Sequence, residues 1–309
     1  MGTHMTRSRE AALAAGLRAL ESLQSADGSF PFQLWWEPRD LIGRVITRAR
    51  RLVGHARQTP TGPVMEQDPT FATSYLLMGA GRRLPPQSIS RAGEFLLTRR
   101  DSLGMWAWGE LFGKILPPDA DSTACALAAL ALNGFPLDRE VEAERLRRFW
   151  RPDLQRFRTW IAEGPYSIPE RDEPVANANV LFALNALGQP PTPAEHAGVR
   201  RYLASCLAGS RYYCSPATIA HAAHRAGLDP QCLPHFARTR PGRDDLIGTI
   251  QWLCAGHRGD RAATERVLAA QQPDGSWPSM AWIKGVGVPL WGCAAVTTAL
   301  AIESLEPSP

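Results

Sequence analysis

The sequence predicts an all-α protein, an (α/α)6 barrel of inner and outer helices. Three observations carry this. Ala- and Leu-rich helical periodicity recurs along the chain, whereas alternating β-branched runs are short. A unit of helix, Gly-aromatic turn and second helix repeats several times. Finally, the helices are of two kinds: one apolar on nearly every side, one amphipathic and charged.

In chain order, the turns are Gln24-Ser25-Ala26-Asp27-Gly28-Ser29-Phe30, Gly104-Met105-Trp106, Gly164-Pro165-Tyr166, Gly209-Ser210-Arg211-Tyr212 and Gln271-Gln272-Pro273-Asp274-Gly275-Ser276-Trp277. The apolar helices are predicted over 68–81, 119–134, 174–188, 215–227 and 290–305. Asp68 and Asp121 each precede a closing glycine by thirteen residues. A segment such as Thr123-Ala124-Cys125-Ala126-Leu127-Ala128-Ala129-Leu130 has no polar face, so it must be buried on all sides. The charged segment 142–150 belongs outside. An inner ring inside an outer ring satisfies both, with each closing glycine as a C-cap. The inner helices then start on one rim, where their polar first turns converge.

Length and composition allow one domain over 6–309, with 1–5 read as a cloning remnant. Hydrophobic residues make up 44% of the 309, enough for a large core. No apolar run approaches the roughly 20 residues needed to span a bilayer, so the expectation is a cytoplasmic protein. The net charge of +4 comes from scattered residues rich in Arg, which fits a GC-rich genome better than a nucleic-acid partner. Cys125, Cys206, Cys214, Cys232, Cys254 and Cys293 form no CxxC and read as free buried thiols. Residues 39–57 place Leu41, Ile42, Val45, Ile46, Leu52 and Val53 at helical spacing among Arg44, Arg48, Arg50 and Arg51. This basic amphipathic insertion, at about 35–60, could touch a membrane, cover a cavity, meet a diphosphate or simply be a solvated outer helix.

Gln271-x-x-x-Gly275-x-Trp277 resembles the QW repeat of squalene and oxidosqualene cyclases, and 24–30 is a degenerate copy. These residues imply a scaffold and say little about chemistry. Asp119-Ala120-Asp121-Ser122-Thr123-Ala124 resembles the DxDD-T-A motif of class II terpene cyclases and the D-C-T-A core of oxidosqualene cyclases, departing from the former at Ser122. The resemblance implies that Asp121 donates a proton to an alkene or epoxide. Such an acid must stay protonated in a dry cavity, and burial raises a carboxyl pKa. Asp119, Ser122 and Thr123 are candidates to orient it, although the same residue types are ordinary helix caps. Pro174-Val175-Ala176-Asn177-Ala178-Asn179-Val180-Leu181 resembles the T-N-A-H-V-L stretch of bacterial class II diterpene cyclases. It implies that Asn177, or Asn179, hydrogen-bonds the acid, with Asn177 preferred. Asn177 and Thr123 each stand eleven residues before a closing glycine, hence at similar depth.

Trp35, Trp36, Phe71, Tyr75, Trp106, Trp108, Tyr166, Tyr213, Trp282 and Trp291 lie near the expected rim, where π faces can stabilise carbocations. Asp244-Asp245 lacks the third acid of a DDxxD motif, which disfavours metal-triggered ionisation. The region of Cys293 does not present the Asp, Cys and His set of zinc prenyltransferases. Asp119 with Glu163 or Asp172 mimics the paired carboxylates of glycoside-active barrels. Two readings stand open: a protonation-initiated terpene or meroterpenoid cyclase, or a silent isoprenoid-binding or partner subunit with the same barrel. No cofactor is required by the first, and Mg2+ enters only if the substrate is a diphosphate. Class II cyclases mostly set their site between two barrels. A homodimer, a partner subunit, a membrane or the 35–57 insertion would have to supply the second wall here.

Overall fold

The computed structural model describes residues 8–35, 57–59, 62–108, 110–111, 114–115, 117–161, 172–206, 209–229, 233–284 and 290–307. The proposed remnant at 1–5 and the basic segment 39–56 lie outside them. So do Trp36, Glu163, Tyr166 and Cys232, and nothing is described of the Trp35 side chain.

Eleven α-helices are described: α1 (Arg9–Leu23), α2 (Thr70–Ala80), α3 (Pro86–Thr98), α4 (Ala120–Leu132), α5 (Arg139–Arg147), α6 (Pro174–Ala186), α7 (Pro193–Ser205), α8 (Ala217–Arg225), α9 (Leu246–Trp252), α10 (Arg261–Ala269) and α11 (Ala294–Leu305). Six form a closed inner ring. α2 packs on α4, α4 on α6, α6 on α8, α8 on α9, α9 on α11, and α11 returns to α2. Helices α1, α3, α5, α7 and α10 and the 3-10 turn His235–Arg238 pack outside. The fold is the expected all-α (α/α)6 barrel. The inner helices are apolar because both of their faces are covered; Ala120 to Leu130 is buried without a break.

The sixth inner helix, α9, is the one not anticipated. It is short, and it runs into a π-helical turn, Leu253–His257, kinked at Gly256. Asp245 caps it by accepting the Gly248 N–H at 2.7 Å, which is the duty of the lone Asp244-Asp245 pair. Gly134, Gly188 and Gly227 close their helices in the left-handed conformation, as expected. Gly81 does not. Its φ is −54°, it continues into a 3-10 turn, and a Cβ there would sit 2.8 Å from the Asn133 side chain.

One hydrogen bond recurs in four units. An aromatic residue donates its backbone N–H to a side chain near the start of the following inner helix; in the third unit this residue is Phe157, not the Tyr166 of the expected turn, which lies outside the described residues. Phe30 donates to Thr73 (3.0 Å), Trp106 to Thr123 (3.2 Å), Phe157 to Asn177 (2.8 Å) and Trp277 to Thr298 (2.9 Å). Gln24 and Gln271 bind alike. Each amide donates to the glycine carbonyl of its own turn and to a carbonyl in the first turn of the next outer helix, Ser88 or Ala12. The Gln271 tie joins α10 to α1 and so closes the outer ring across the chain ends.

Strands are more numerous than the sequence reading expected. β1 (Phe32–Trp35), β2 (Arg57–Thr59), β3 (Gly62–Gln67), β8 (Ile283–Lys284) and β9 (Leu290–Gly292) form one sheet, in the order β2-β3-β1-β9-β8. β4 (Glu110–Leu111) pairs with β5 (Lys114–Ile115), and β6 (Trp150–Arg151) with β7 (Arg156–Phe157). Residues 290–292, expected to be helical, are strand because they pair with 33–35 on one side and 283–284 on the other. β3 and β9 run directly into α2 and α11, so the sheet stands at the rim where the inner helices begin.

Thr298→Val keeps the shape of the side chain and leaves the buried Trp277 N–H without an acceptor. We expect a loss of about 1–3 kcal/mol in urea denaturation.

Candidate functional site

Asp119 and Asp121 part company at the start of α4. Asp119 is the N-cap, accepting the Ser122 N–H at 2.7 Å. Its second oxygen is buried and has no partner. Burial first, and then the neighbouring Asp121 charge, push its pKa up to about 7.

Asp121 caps nothing. Its Oδ1 accepts from Asn179 Nδ2 at 2.8 Å, and its Oδ2 from the Tyr213 hydroxyl at 2.7 Å. The Cys125 thiol, one turn along α4, lies 3.8 Å from Oδ1. The donors therefore come from α6 and from the 209–214 loop as well as from α4 itself. Burial raises the Asp121 pKa, while the Asn179, Tyr213 and Cys125 bonds hold it down. Asp121 keeps 9% of its surface accessible, the most within 120–130.

The expected role of Asn177 moves to Asn179. Asn177 is the third of the four ties: its Oδ1 accepts the Phe157 N–H, and its Nδ2 donates to Phe157 O (2.9 Å) and Glu173 O (3.0 Å). Two residues further along a helix is about 200° of rotation, so Asn179 faces the bore instead. Its Oδ1 has no partner.

Two other expected site residues, Thr123 and Trp106, make structural contacts. Thr123 is spent on both backbone groups of Trp106. The Trp106 ring points outward, donating Nε1–H to Leu96 O at 2.8 Å beneath the Arg100 guanidinium. Ser122 is buried, and its backbone N–H serves the Asp119 cap. Asp172 is ion-paired with Arg156, which removes it as a partner for Asp119.

The remaining aromatic candidates form one cluster. Trp282 stacks on Phe71 (5.4 Å between centroids) and meets Tyr75 (4.3 Å) and Tyr213 (5.6 Å). Trp108 bridges Phe71 and Trp291. Phe32, not singled out from sequence, joins through Trp108. Tyr213 links this cluster to the acid. The Tyr75 hydroxyl and the indole N–H groups of Trp282 and Trp291 are buried without partners.

Glu173 is a further carboxyl missed in the sequence. It is the N-cap of α6, 1% exposed, and desolvation raises its pKa to about 8. Its signal was its position directly before Pro174, a favoured first helical residue.

At the other end of the inner helices, His221, Cys254 and Glu303 bring three metal-type ligand atoms within 4.8 Å of one another. Glu303 already receives Arg225 at 3.1 Å and His221 at 2.8 Å, which gives this cluster the character of a closed ion pair. Among the described cysteines, Cys125, Cys254 and Cys293 are buried; Cys206 and Cys214 are only half-buried. All five are free.

Several solved structures share this fold. A protein from Actinoplanes matches with a TM-score of 0.69 and 18% identity, covering 96% of this chain and 98% of that one. The type II terpene cyclase MstE from Scytonema, in its apo form, matches at 0.63 and 17%, covering 96% of each chain. MstE variants have been solved with geranylgeranyl dihydroxybenzoate, its substrate, and with merosterolic acid A, its product. A glycosidase matches more loosely, at 0.51 and 14%, covering 99% of each chain. No protein-family model matches the sequence, and no curated protein does. At these identities the likeness establishes the barrel, and function has to be argued from the site. No described helix is long and apolar enough to cross a membrane.

Two predictions separate the paired residues. Asn177→Ala strands the buried Phe157 N–H and C=O, and should cost about 2–4 kcal/mol by urea denaturation; Asn179→Ala should cost clearly less. Asp119 has a folded pKa above its unfolded value, so its stabilisation is present below about pH 4 and is lost as pH rises through about 7. Unfolding free energies at pH 5 and pH 8 should therefore differ less in Asp119→Asn than in the wild type.

Proposed function

We propose that the protein is a protonation-initiated, class II-type cyclase of a linear isoprenoid, with Asp121 as the general acid. The observation that supports this best is the pair of donors on Asp121. A carboxylate used only for capping would face its own helix backbone. Asp121 instead faces the bore, held on both oxygens by Asn179 and Tyr213 beside an aromatic cluster.

The chemistry follows from that environment. Burial raises the Asp121 pKa and so favours its protonated form, and the Asn179 and Tyr213 hydrogen bonds stabilise the carboxylate left behind. Transfer of the proton to a terminal alkene carbon makes a tertiary carbocation. Attack by the next alkene closes a ring and moves the charge along the chain. Loss of a proton from the final cation restores neutrality, so the product is an isomer of the substrate and a proton must return to Asp121. The Phe71, Tyr75, Trp108, Trp282 and Trp291 faces offer cation–π stabilisation along the way. The free donors of Tyr75, Trp282 and Trp291 are available to an oxygen on the substrate. The rim sheet, which contains the ends of the 35–60 insertion, is our candidate for the second wall of the site. A diphosphate, where the substrate has one, stays attached in this mechanism.

Three outcomes are expected. Asp121→Asn should abolish cyclisation of polyprenyl substrates while leaving the thermal melt in place; full turnover by this variant would remove the general-acid role, and no turnover by the wild type on any polyprenyl substrate would favour a silent isoprenoid-binding barrel. Asn179→Ala should lower the rate about ten- to a hundredfold, as expected for the loss of a contact that orients the general acid and less than for the loss of the acid itself. It also removes a bond that lowers the Asp121 pKa, so the alkaline limb of the rate profile should move to higher pH. Activity should survive chelation, reduced at most for diphosphate substrates; complete and reversible loss would point to metal-triggered chemistry.

A further inference from the structure

Tyr213 reaches Asp121 from a loop, and a loop residue needs something to aim it. Its neighbours are held from two sides. On the strand side, Cys214 N–H donates to Trp282 O (3.0 Å), and Lys284 N–H donates to Tyr212 O (2.7 Å). On the helix side, Ser210 Oγ accepts the N–H groups of Tyr212 (3.1 Å) and Tyr213 (2.8 Å). Glu173 spans the gap to α6. One of its oxygens accepts Val175 N–H at 3.3 Å, and the other accepts Arg211 N–H at 3.0 Å.

We infer that Glu173 and Ser210 are positioning residues for Asp121, acting through Tyr213. Capping α6 needs only one short-chain oxygen, which Ser, Thr or Asp supplies without the cost of burying a longer carboxyl. Glutamate adds reach, and the second oxygen uses that reach to grip the turn carrying Tyr213. The Ser210 hydroxyl then fixes the backbone at Tyr213 itself, and the phenol lands 2.7 Å from Asp121 Oδ2. Burial raises the Glu173 pKa to about 8, so near neutral pH it brings no second negative charge toward the acid.

The test reads Asp121 without any substrate, so it stands apart from the cyclase assignment, on which only the predicted rate effect rests. The carbonyl band of protonated Asp121 is assigned by infrared difference between the wild type and Asp121→Asn at pH 5. Tyr213→Phe should shift that band. Glu173→Ser keeps a capping oxygen for α6 but cannot reach Arg211, so it should shift the band in the same direction. In a Tyr213→Phe background it should add no further shift. Ser210→Ala should reproduce the effect and serves if Glu173→Ser melts early. The inference is overturned if Tyr213→Phe leaves the band in place. It is equally overturned if the band moves in Tyr213→Phe but stays at its wild-type position in the folded Glu173→Ser or Ser210→Ala protein. With a turned-over substrate, Glu173→Ser should lower kcat about tenfold with little change in KM.

Discussion

The site depends on the tie between each turn and the inner helix that follows it. A buried backbone N–H must find an acceptor. In four units that acceptor is a Thr or Asn near the start of an inner helix: Thr73, Thr123, Asn177 or Thr298. The bond sets the rotation of the helix about its axis. A residue two positions away then points to the opposite side, into the bore. Asp121 is two before Thr123, and Asn179 is two after Asn177. The same bond that builds the scaffold therefore brings acid and amide together, 58 residues apart in sequence.

Three buried carboxyls follow from this arrangement, at the rim where the inner helices begin. Two are caps, Asp119 on α4 and Glu173 on α6, and their backbone partners lower the cost of burying them. Asp121 caps nothing and is held by side chains alone. All three have raised pKa values, with desolvation the largest cause in each. The other end of the barrel does the opposite: Arg225 and His221 hold the Glu303 pKa well below the usual carboxylate range. The barrel thus has a proton-holding rim and a salt-bridged far end. Among the described residues, only the rim combines carboxyls of raised pKa with a cluster of aromatic faces.

Much of this was legible in the sequence. The apolar inner helices at 119–134 and 174–188 had to be buried whatever surrounded them, and the five repeated Gly-aromatic turns marked five of the six inner helices. Helix α9 escaped because seven residues give too little periodicity, and because the chain continues through a kinked π turn rather than a clean cap. The rim strands escaped because each is short and gains its partners from distant segments, 32–35 with 62–67 and 290–292. At the site, the motif at 119–124 identified the right helix start. Spacing alone could not choose between Asn177 and Asn179, because the choice depends on which residue answers the Phe157 N–H. Trp106 and Thr123 looked like site residues for the same reason: proximity in sequence carries no information about which side of the helix faces the bore. Glu173 passed as a helix-start residue, since its grip on Arg211 is made across 38 residues.

The central claim is that a proton from Asp121 enters the product. The most direct measurement is product analysis after incubating linear polyprenyl substrates, bearing hydrocarbon, alcohol, aryl and diphosphate ends, with the protein in deuterium oxide. The account predicts a cyclised isomer carrying one solvent-derived deuterium on the carbon protonated first, and no such product from Asp121→Asn. A cyclised product without that deuterium, or one formed equally well by Asp121→Asn, would contradict it.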